Sequence, residues 1–489
     1  MERCERMGVL AGLKPERVFY YFEEITKIPH GSGNVRQISD YLKAFAQRNG
    51  LFCIQDELSN IIIVKEATPG YENEPPLIFQ GHMDMVAVKK PDCAINLRTE
   101  GLKVAVRGDE IYAEGTSLGG DDGIAVAYSL ALLESGEISH PKLEVVITVD
   151  EEVGMDGARG IDLSMLTGHR MLNLDSEDEG VFLSSCAGGA RVLCRVPAER
   201  EKAAGMIFEV KIGGLLGGHS GEEINKERGN SNCIFGRWLY QVSRQMKVRL
   251  VEARGGLADN AIPRETVAKV MIASDDRELL HEVTVELENK IKEELQVKDP
   301  GFFLQVTEMR EEELQVITVA DTGKIASFLW SLPDGVQAMS ADMPGLVETS
   351  LNLGILNCND TVVKAEFSVR SSVESGKEAL ISRLEAITTL AGGTITVTGD
   401  YPGWKYRSDS PLREKMIRLY REMYQREPVV RAIHAGLECG ILAGKIKDLD
   451  CVSIGPQMKD IHTTEETLSI SSTARLWEFI VKLLETKEE

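Results

Sequence analysis

From Arg17 to Ile28 the apolar residues Val18, Tyr21, Phe22, Ile25 and Ile28 recur at helical spacing, and Pro29 with Gly31-Ser32-Gly33 ends the run. Asn34 is placed as the N-cap of a second helix, Val35 to Asn49, with Gly50 just past its end. The pattern then shortens. Two strand-like runs flank Asp56-Glu57 between Phe52 and Lys65, and Leu77-Ile78-Phe79 reads as a buried strand ending near Gly81-His82. Lys103 to Glu114 predicts short strands or a hairpin, and Gly119-Gly120-Asp121-Asp122-Gly123 opens a helix from Ile124 to Leu133. Leu143 to Val149 predicts a strand ending in Asp150-Glu151-Glu152, and Met171 to Leu174 another ending in Asp175. Strands alternating with helices predict an α/β domain with a mostly parallel sheet.

Near Ala187-Gly188-Gly189 the texture changes. Strand-like runs at Ile207–Ile212, Val267–Ile272, Phe303–Thr307 and Val362–Val369 mix with amphipathic helices at Asn232–Gln245 and Asp276–Glu293. This predicts a separate α+β insertion over residues 190–399, dividing a catalytic α/β domain into segments 1–189 and 400–489. After Gly403 the α/β texture returns, with helices at Leu412–Tyr424 and Leu437–Lys445 and a strand at Cys451–Ile454. Gly455–Thr463 reads as a loop and Thr473–Thr486 as a last helix.

With 489 residues the chain exceeds one ordinary core, and 43% hydrophobic with 27% charged residues suits a globular protein. A net charge of −22 argues against nucleic acid as a partner and favours cations. Nine scattered cysteines, from Cys4 to Cys451, include no Cys-x-x-Cys pair and read as free thiols of a reducing compartment. Met7 to Leu13 is too short for a signal-peptide core, and no apolar run is long enough for a membrane span. The expectation is a cytoplasmic protein without a membrane or nucleic-acid partner.

Carboxylates and histidines gather where strands end. His82, Asp84, Glu151, Glu152, Asp175 and His462 each follow an apolar strand, and Asp121 stands at a helix start. Ligands of open α/β sheets bind at that edge. Taken singly, Asp121 or Asp122 can be a plain N-cap, Asp150-Glu151-Glu152 a solvated loop and His462 an ordinary loop histidine. Taken together, they crowd five carboxylates and two histidines at one edge without a nearby lysine or arginine in sequence, which calls for cations among them. The mixed imidazole and carboxylate set suits zinc, with cobalt or manganese as substitutes. Its size favours two ions roughly 3.5–4 Å apart.

His82-Met83-Asp84, Gly119 to Gly123, Asp150 to Gly154, Asp175 and His462 resemble the zinc aminopeptidase and carnosinase superfamily. Ile28 to Asn34, Asn173 to Glu177, Ser185 to Gly189, Gly217-Gly218-His219-Ser220-Gly221, Asn260 to Arg264 and His434 to Gly440 narrow the resemblance to its bacterial aminoacyl-histidine (Xaa-His) dipeptidase family. The resemblance implies His82 and Asp175 on one zinc, Glu152 and His462 on the other, and Asp121 bridging the two. Asp84 would hydrogen-bond the far nitrogen of His82, and Glu151 would be the general base. His219 would polarise the scissile carbonyl across a dimer interface, Asn260 would contact substrate, and Arg370 would pair with the substrate carboxylate. Gly436 would donate a main-chain N–H to substrate, though a simple helix start explains it too. The insertion would be a lid through which the chain forms a homodimer. The implied activity is hydrolysis of small Xaa-His peptides such as carnosine by a di-zinc dipeptidase. A tripeptidase or N-acyl-amino-acid deacylase on the same scaffold, or a non-catalytic peptide-binding protein, are the alternatives. Asp122, Glu222 to Asn225 and Ile461 to Glu465 depart from the family pattern without removing a ligand, and bear on substrate preference.

Overall fold

The computed structural model describes residues 8–359 and 361–488. Cys4 and Met7 lie outside the described residues; the other eight cysteines are free. The chain forms two compact units. One comprises Met1–Ser185, Tyr406–Ala432 and Leu437–Glu489, the other Cys186–Lys405 and Ile433–Gly436. Ile433–Gly436, read from the sequence within the returning α/β segment, clusters with the second unit because the Ala187 N–H donates to the carbonyls of Ile433 and Ala435.

The first unit is built on an eight-stranded sheet in the order Phe52–Gln55, Ile61–Lys65, Leu143–Thr148, Leu77–His82, Arg170–Asn173, Asp450–Ser453, Val181–Cys186, Val429–Ile433. The middle four strands run parallel and the flanking pairs with recorded register run antiparallel. Leu77–His82 and Leu143–Thr148 are buried at every position, as expected of central strands covered on both faces. The single carboxylate inside them, Glu144, accepts from the Thr167 and Gly168 N–H groups and pairs with Lys142.

Helix Gly120–Glu134 is buried from Gly120 to Leu133, a helix apolar on all sides and therefore internal. Helix Glu16–Thr26 packs on it through Phe22 and Ile25, and a Cβ at Gly123 would lie 3.2 Å from Ile25 Cδ1. The second helix, Arg36–Arg48, begins one residue later than its expected cap allows: Val35 is the N-cap, and Asn34 instead donates from Nδ2 to the Arg98 carbonyl. The expected loop over 455–463 contains a short strand, Met458–Lys459, which pairs antiparallel with Thr467–Ser469. The resulting hairpin joins Glu110–Ala113 and Val104–Arg107 in a four-stranded sheet.

The second unit is a nine-stranded sheet. Its recorded pairs are all antiparallel, in the order Phe303–Ile317, Arg200–Gly213, Thr266–Ile272, Arg249–Gly255, Val347–Asn357, Val362–Ser371, Gly188–Pro197, Thr394–Tyr401, with Gly335–Met339 beside Val347–Asn357. Helices Ser231–Gln245, Arg277–Leu295, Val319–Ser331 and Glu374–Leu390 accompany it. Its core centres on Phe208, Phe235, Trp238 and Phe367, and the buried Trp238 indole N–H donates to Thr284 Oγ1 at 3.0 Å. Among the described residues no helix is long and apolar enough to cross a membrane.

Candidate metal centre

Three of the four parallel strands deliver acidic or imidazole side chains from their C-terminal ends. His82 closes its strand, Glu151 and Glu152 follow Leu143–Thr148, and Asp175 follows Arg170–Asn173. Asp121 arrives from the first turn of the buried helix. It and Asp122 depart from helical dihedrals and neither caps the helix, so the plain cap role does not apply. His462 comes from the Met458–Ser469 hairpin loop and has a positive φ of 62°.

The Asp121 carboxylate lies between the two imidazoles. Its Oδ1 is 3.2 Å from His82 Nε2 and its Oδ2 is 3.0 Å from His462 Nε2. Asp175 Oδ1 is 3.9 Å from His82 Nε2, and Glu152 Oε1 is 2.9 Å from His462 Nε2. Two triads have donor atoms within 4.8 Å of one another and share Asp121: His82, Asp121 and Asp175, and Asp121, Glu152 and His462. A third groups His82, Glu151 and Glu152. Among the described residues, no lysine or arginine pairs with Asp84, Asp121, Asp122, Glu151, Glu152 or Asp175. This donor set fits divalent cations of borderline softness.

Asp84 faces His82 chiefly through its main chain rather than through the carboxylate expected to bond the ring. His82 Nδ1 is 3.0 Å from the Asp84 main-chain oxygen and 3.5 Å from its carboxylate. That carboxylate accepts from Ser32 Oγ at 2.9 Å, from the Glu151 N–H at 3.1 Å and from the Glu152 N–H at 3.4 Å. It therefore anchors the loop that carries both glutamates. Asp122 is fully buried beneath the centre, and its Oδ2 accepts the His82 N–H at 3.2 Å. A Cβ at Gly81 would lie 2.4 Å from that oxygen, so the glycine makes room for the aspartate.

Two carboxylates that sequence reasoning missed support these residues. Glu466, at the end of the His462 hairpin loop, accepts from the N–H groups of Leu118, Gly119, Gly120 and Asp121 at 2.7–3.3 Å. It ties the segment carrying His462 to the segment carrying Asp121. Glu438 is fully buried and accepts from Gln80 Nε2 and Thr148 Oγ1, each at 2.5 Å; Gln80 Oε1 accepts in turn from Asn173. Neither stands out in sequence: Glu466 follows another glutamate, and Glu438 sits at a helix start.

Burial, above all, pushes Glu151 up to about 8, Glu438 up to about 7 and Asp175 well above the usual carboxylate range. Burial also opposes ionisation of Asp121, but hydrogen bonds from His462 and His82 outweigh it and hold Asp121 low. Hydrogen bonds to Asp121 and Glu152 raise His462 to about 10.

The remaining predicted site residues belong to the second unit. His219 lies on Gly218–His219, paired with Ala261–Ile262, and the Ser220 N–H donates to the Asn260 carbonyl. Asn260 is exposed. The Glu222 N–H donates to His219 Nδ1, which leaves the proton of the neutral ring on Nε2. Burial, then Arg370, lowers the His219 pKa. Arg370 is 8% exposed, and its Nε has no hydrogen-bond partner. His434 is buried, with Nε2 2.7 Å from Ser350 Oγ, and burial together with Arg370 lowers it to about 3. Gly436 stands beside the Tyr401 ring.

The chain matches peptidase family M20/M25/M40 over residues 78–486 and belongs to that family. It is 34% identical over 481 residues to the cytosol non-specific dipeptidase of Escherichia coli strain K12, covering 98% of this chain and 99% of that one. The crystal structure of the aminoacylhistidine dipeptidase from Vibrio alginolyticus superposes with a TM-score of 0.92 at 35% identity over 98% of each chain. An aminopeptidase, PepT, from Bacillus cereus shares the fold, with a TM-score of 0.56 at 16% identity over 97% of this chain and 98% of that one.

Two outcomes follow from the centre. In the unfolded chain the carboxyls have lost their protons by pH 7 and the imidazole is largely neutral. The folded metal-free protein keeps His462 protonated across pH 7–9 and gives up the Glu151 proton only as pH passes about 8, so it binds more protons than the unfolded chain and loses stability as pH rises through that window. The melting temperature of chelator-treated protein should fall from pH 7 to 9, and more steeply than that of metal-loaded protein; equal slopes would contradict this. Glu466→Ala should weaken zinc binding by about 10–100-fold in calorimetric titration, because Asp121 and His462 lose their common anchor; unchanged affinity would show that another contact holds them.

Proposed function

We propose that the protein is a cytoplasmic di-zinc dipeptidase that hydrolyses aminoacyl-histidine dipeptides of the carnosine type. The observation carrying this reading is the Asp121 carboxylate shared between two imidazoles, each of which also faces a further carboxylate. His82 and Asp175 would hold one ion, Glu152 and His462 the other, with Asp121 common to both. Ions bound there supply Lewis acidity, which polarises a carbonyl and acidifies water.

The chain's own groups move the protons. Glu151 takes one from the attacking water and delivers it to the departing amine. Asp84 fixes the Glu151 main chain while facing His82. His219, protonated on Nε2, donates toward the carbonyl oxygen as charge develops there. Arg370, buried without a carboxylate partner, takes the substrate carboxylate, while Asn260 and the Gly436 N–H contact the peptide. The Cys186–Lys405 unit serves as the lid and forms the homodimer, in which His219 acts at the neighbouring subunit's centre. The similarity to dipeptidases along the whole chain supports this over a tripeptidase, a deacylase or a non-catalytic binding protein.

Glu151→Gln should lower kcat by at least about 10²–10⁴-fold with metal content and melting temperature kept, measured by amine release and elemental analysis; an active variant would remove Glu151 as the base. A panel of carnosine, other dipeptides, tripeptides and N-acetyl amino acids should show cleavage of dipeptides with carnosine-type substrates favoured. Equal rates on dipeptides lacking histidine would place the protein with non-specific dipeptidases, and preferential cleavage of tripeptides or N-acetyl amino acids would overturn the reading.

A further inference from the structure

Arg370 shares its surroundings with a second polar group that no role above uses. Arg370 lies opposite Gly189 in the pairing of Val362–Ser371 with Gly188–Pro197. Gly189 in turn lies opposite Tyr401 in the pairing of Gly188–Pro197 with Thr394–Tyr401. The three residues thus form one row across three adjacent strands and face the same side of the sheet. Strands two apart are separated by roughly 10 Å, a gap that the middle residue ordinarily fills with its own side chain. Gly189 has none. The guanidinium and the phenol meet over it, Arg370 Nη1 donating to Tyr401 Oη at 3.4 Å. A Cβ at Gly189 would lie 2.7 Å from Tyr401 Oη.

The local backbone is arranged to bring Tyr401 into that row. The register steps from Thr398 opposite Arg191 to Tyr401 opposite Gly189, so three steps on one strand match two on the other. Gly399, with φ of 61°, lies within this bulge, and bulges re-aim the side chains that follow them. Buried Lys377 then fixes the strand end. Its Nζ donates to the Tyr401 carbonyl at 2.8 Å and pairs with Asp400 at 2.6 Å and Glu374 at 2.9 Å.

Two more glycines keep the same space open. A Cβ at Gly436 would lie 2.9 Å from Tyr401 Oη, and one at Gly221 would lie 3.1 Å from His219 Cε1 and 3.3 Å from Arg370 Cζ. Glycines from three separated motifs therefore border one guanidinium–phenol pair. Among the described residues no carboxylate pairs with Arg370, and a buried cation without a counter-ion is costly. A phenol that accepts from Arg370 directs its own O–H away from the guanidinium.

The geometry points to Tyr401 as a substrate-binding residue whose hydroxyl donates to one oxygen of the carboxylate that Arg370 engages. This rests on the carboxylate role of Arg370 given above, and the two can fail separately. The test compares Tyr401→Phe, Arg370→Gln and the double variant on carnosine and on its C-terminal amide, with full-length metal-loaded protein.

Tyr401→Phe should raise KM for carnosine about 10-fold or more, the loss of one hydrogen bond to a charged group, with kcat and the amide substrate little changed. It should raise KM further in the Arg370→Gln background. Gly189→Ala, by displacing the phenol, should reproduce the carboxylate-specific loss. If Tyr401→Phe affects neither substrate, or both equally, Tyr401 does not bind the carboxylate. If its effect vanishes in the Arg370→Gln background, Tyr401 acts only by holding Arg370, and the assignment is wrong. If Arg370→Gln itself does not discriminate acid from amide, the carboxylate role of Arg370 fails and that of Tyr401 fails with it.

Discussion

The Asp121 carboxylate faces an imidazole with each of its oxygens, His82 on one side and His462 on the other. Such an arrangement requires a short acidic side chain at a fixed point between two segments far apart in sequence. The first turn of the buried helix provides that point by leaving helical dihedrals at Asp121. Glu466 holds it there, gathering four consecutive main-chain N–H groups ahead of and within that turn. Because Glu466 belongs to the hairpin that carries His462, one carboxylate fixes both sides of the contact. The rest of the edge is organised around it: Asp175 beside His82, Glu152 beside His462, and Asp84 pinning the Glu151–Glu152 main chain.

The electrostatics explain why so rigid a frame surrounds the centre. Carboxylates sequestered from water without lysine or arginine partners resist ionisation, and the raised pKa values of Glu151, Asp175 and Glu438 express that resistance. Metal-free, the edge relies on protons to moderate its charge; divalent cations can replace them. Two of the surrounding parallel strands, Leu77–His82 and Leu143–Thr148, are buried at every position and help confine these groups to one edge.

Much of the first unit was legible because its strands are short continuous apolar runs and its acidic residues fall immediately after them. The helix over Glu16–Thr26 was legible from spacing and Arg36–Arg48 from its flanking residues, though Asn34 turned out to contact the Arg98 carbonyl rather than cap the second. The second unit was less legible. Helix Glu374–Leu390 buries Lys377 and Thr388 alongside Leu380 and Leu384, so half of its buried stripe is polar in sequence. Lys377 is buried because it serves Asp400 and the Tyr401 carbonyl, partners fixed by tertiary structure. Glu466 and Glu438 were illegible for the same reason: their partners are main-chain amides and side chains far away in sequence. The glycines at 81, 189, 221 and 436 read as turns or motif positions, whereas in the fold each leaves room for a neighbouring side chain or carbonyl.

The hairpin carrying His462 and Glu466 also sets an order of events during synthesis. Domains tend to form as the chain emerges, N-terminal elements first. A nascent chain that has made His82, Asp121, Glu152 and Asp175 still lacks both the second imidazole and the carboxylate that clamps the Asp121 turn. The sheet edge can exist at that stage, but the shared carboxylate cannot be closed upon. Competence therefore arrives late, when Met458–Lys459 and Thr467–Ser469 pair. A chain interrupted before that point would carry an acidic, half-built edge.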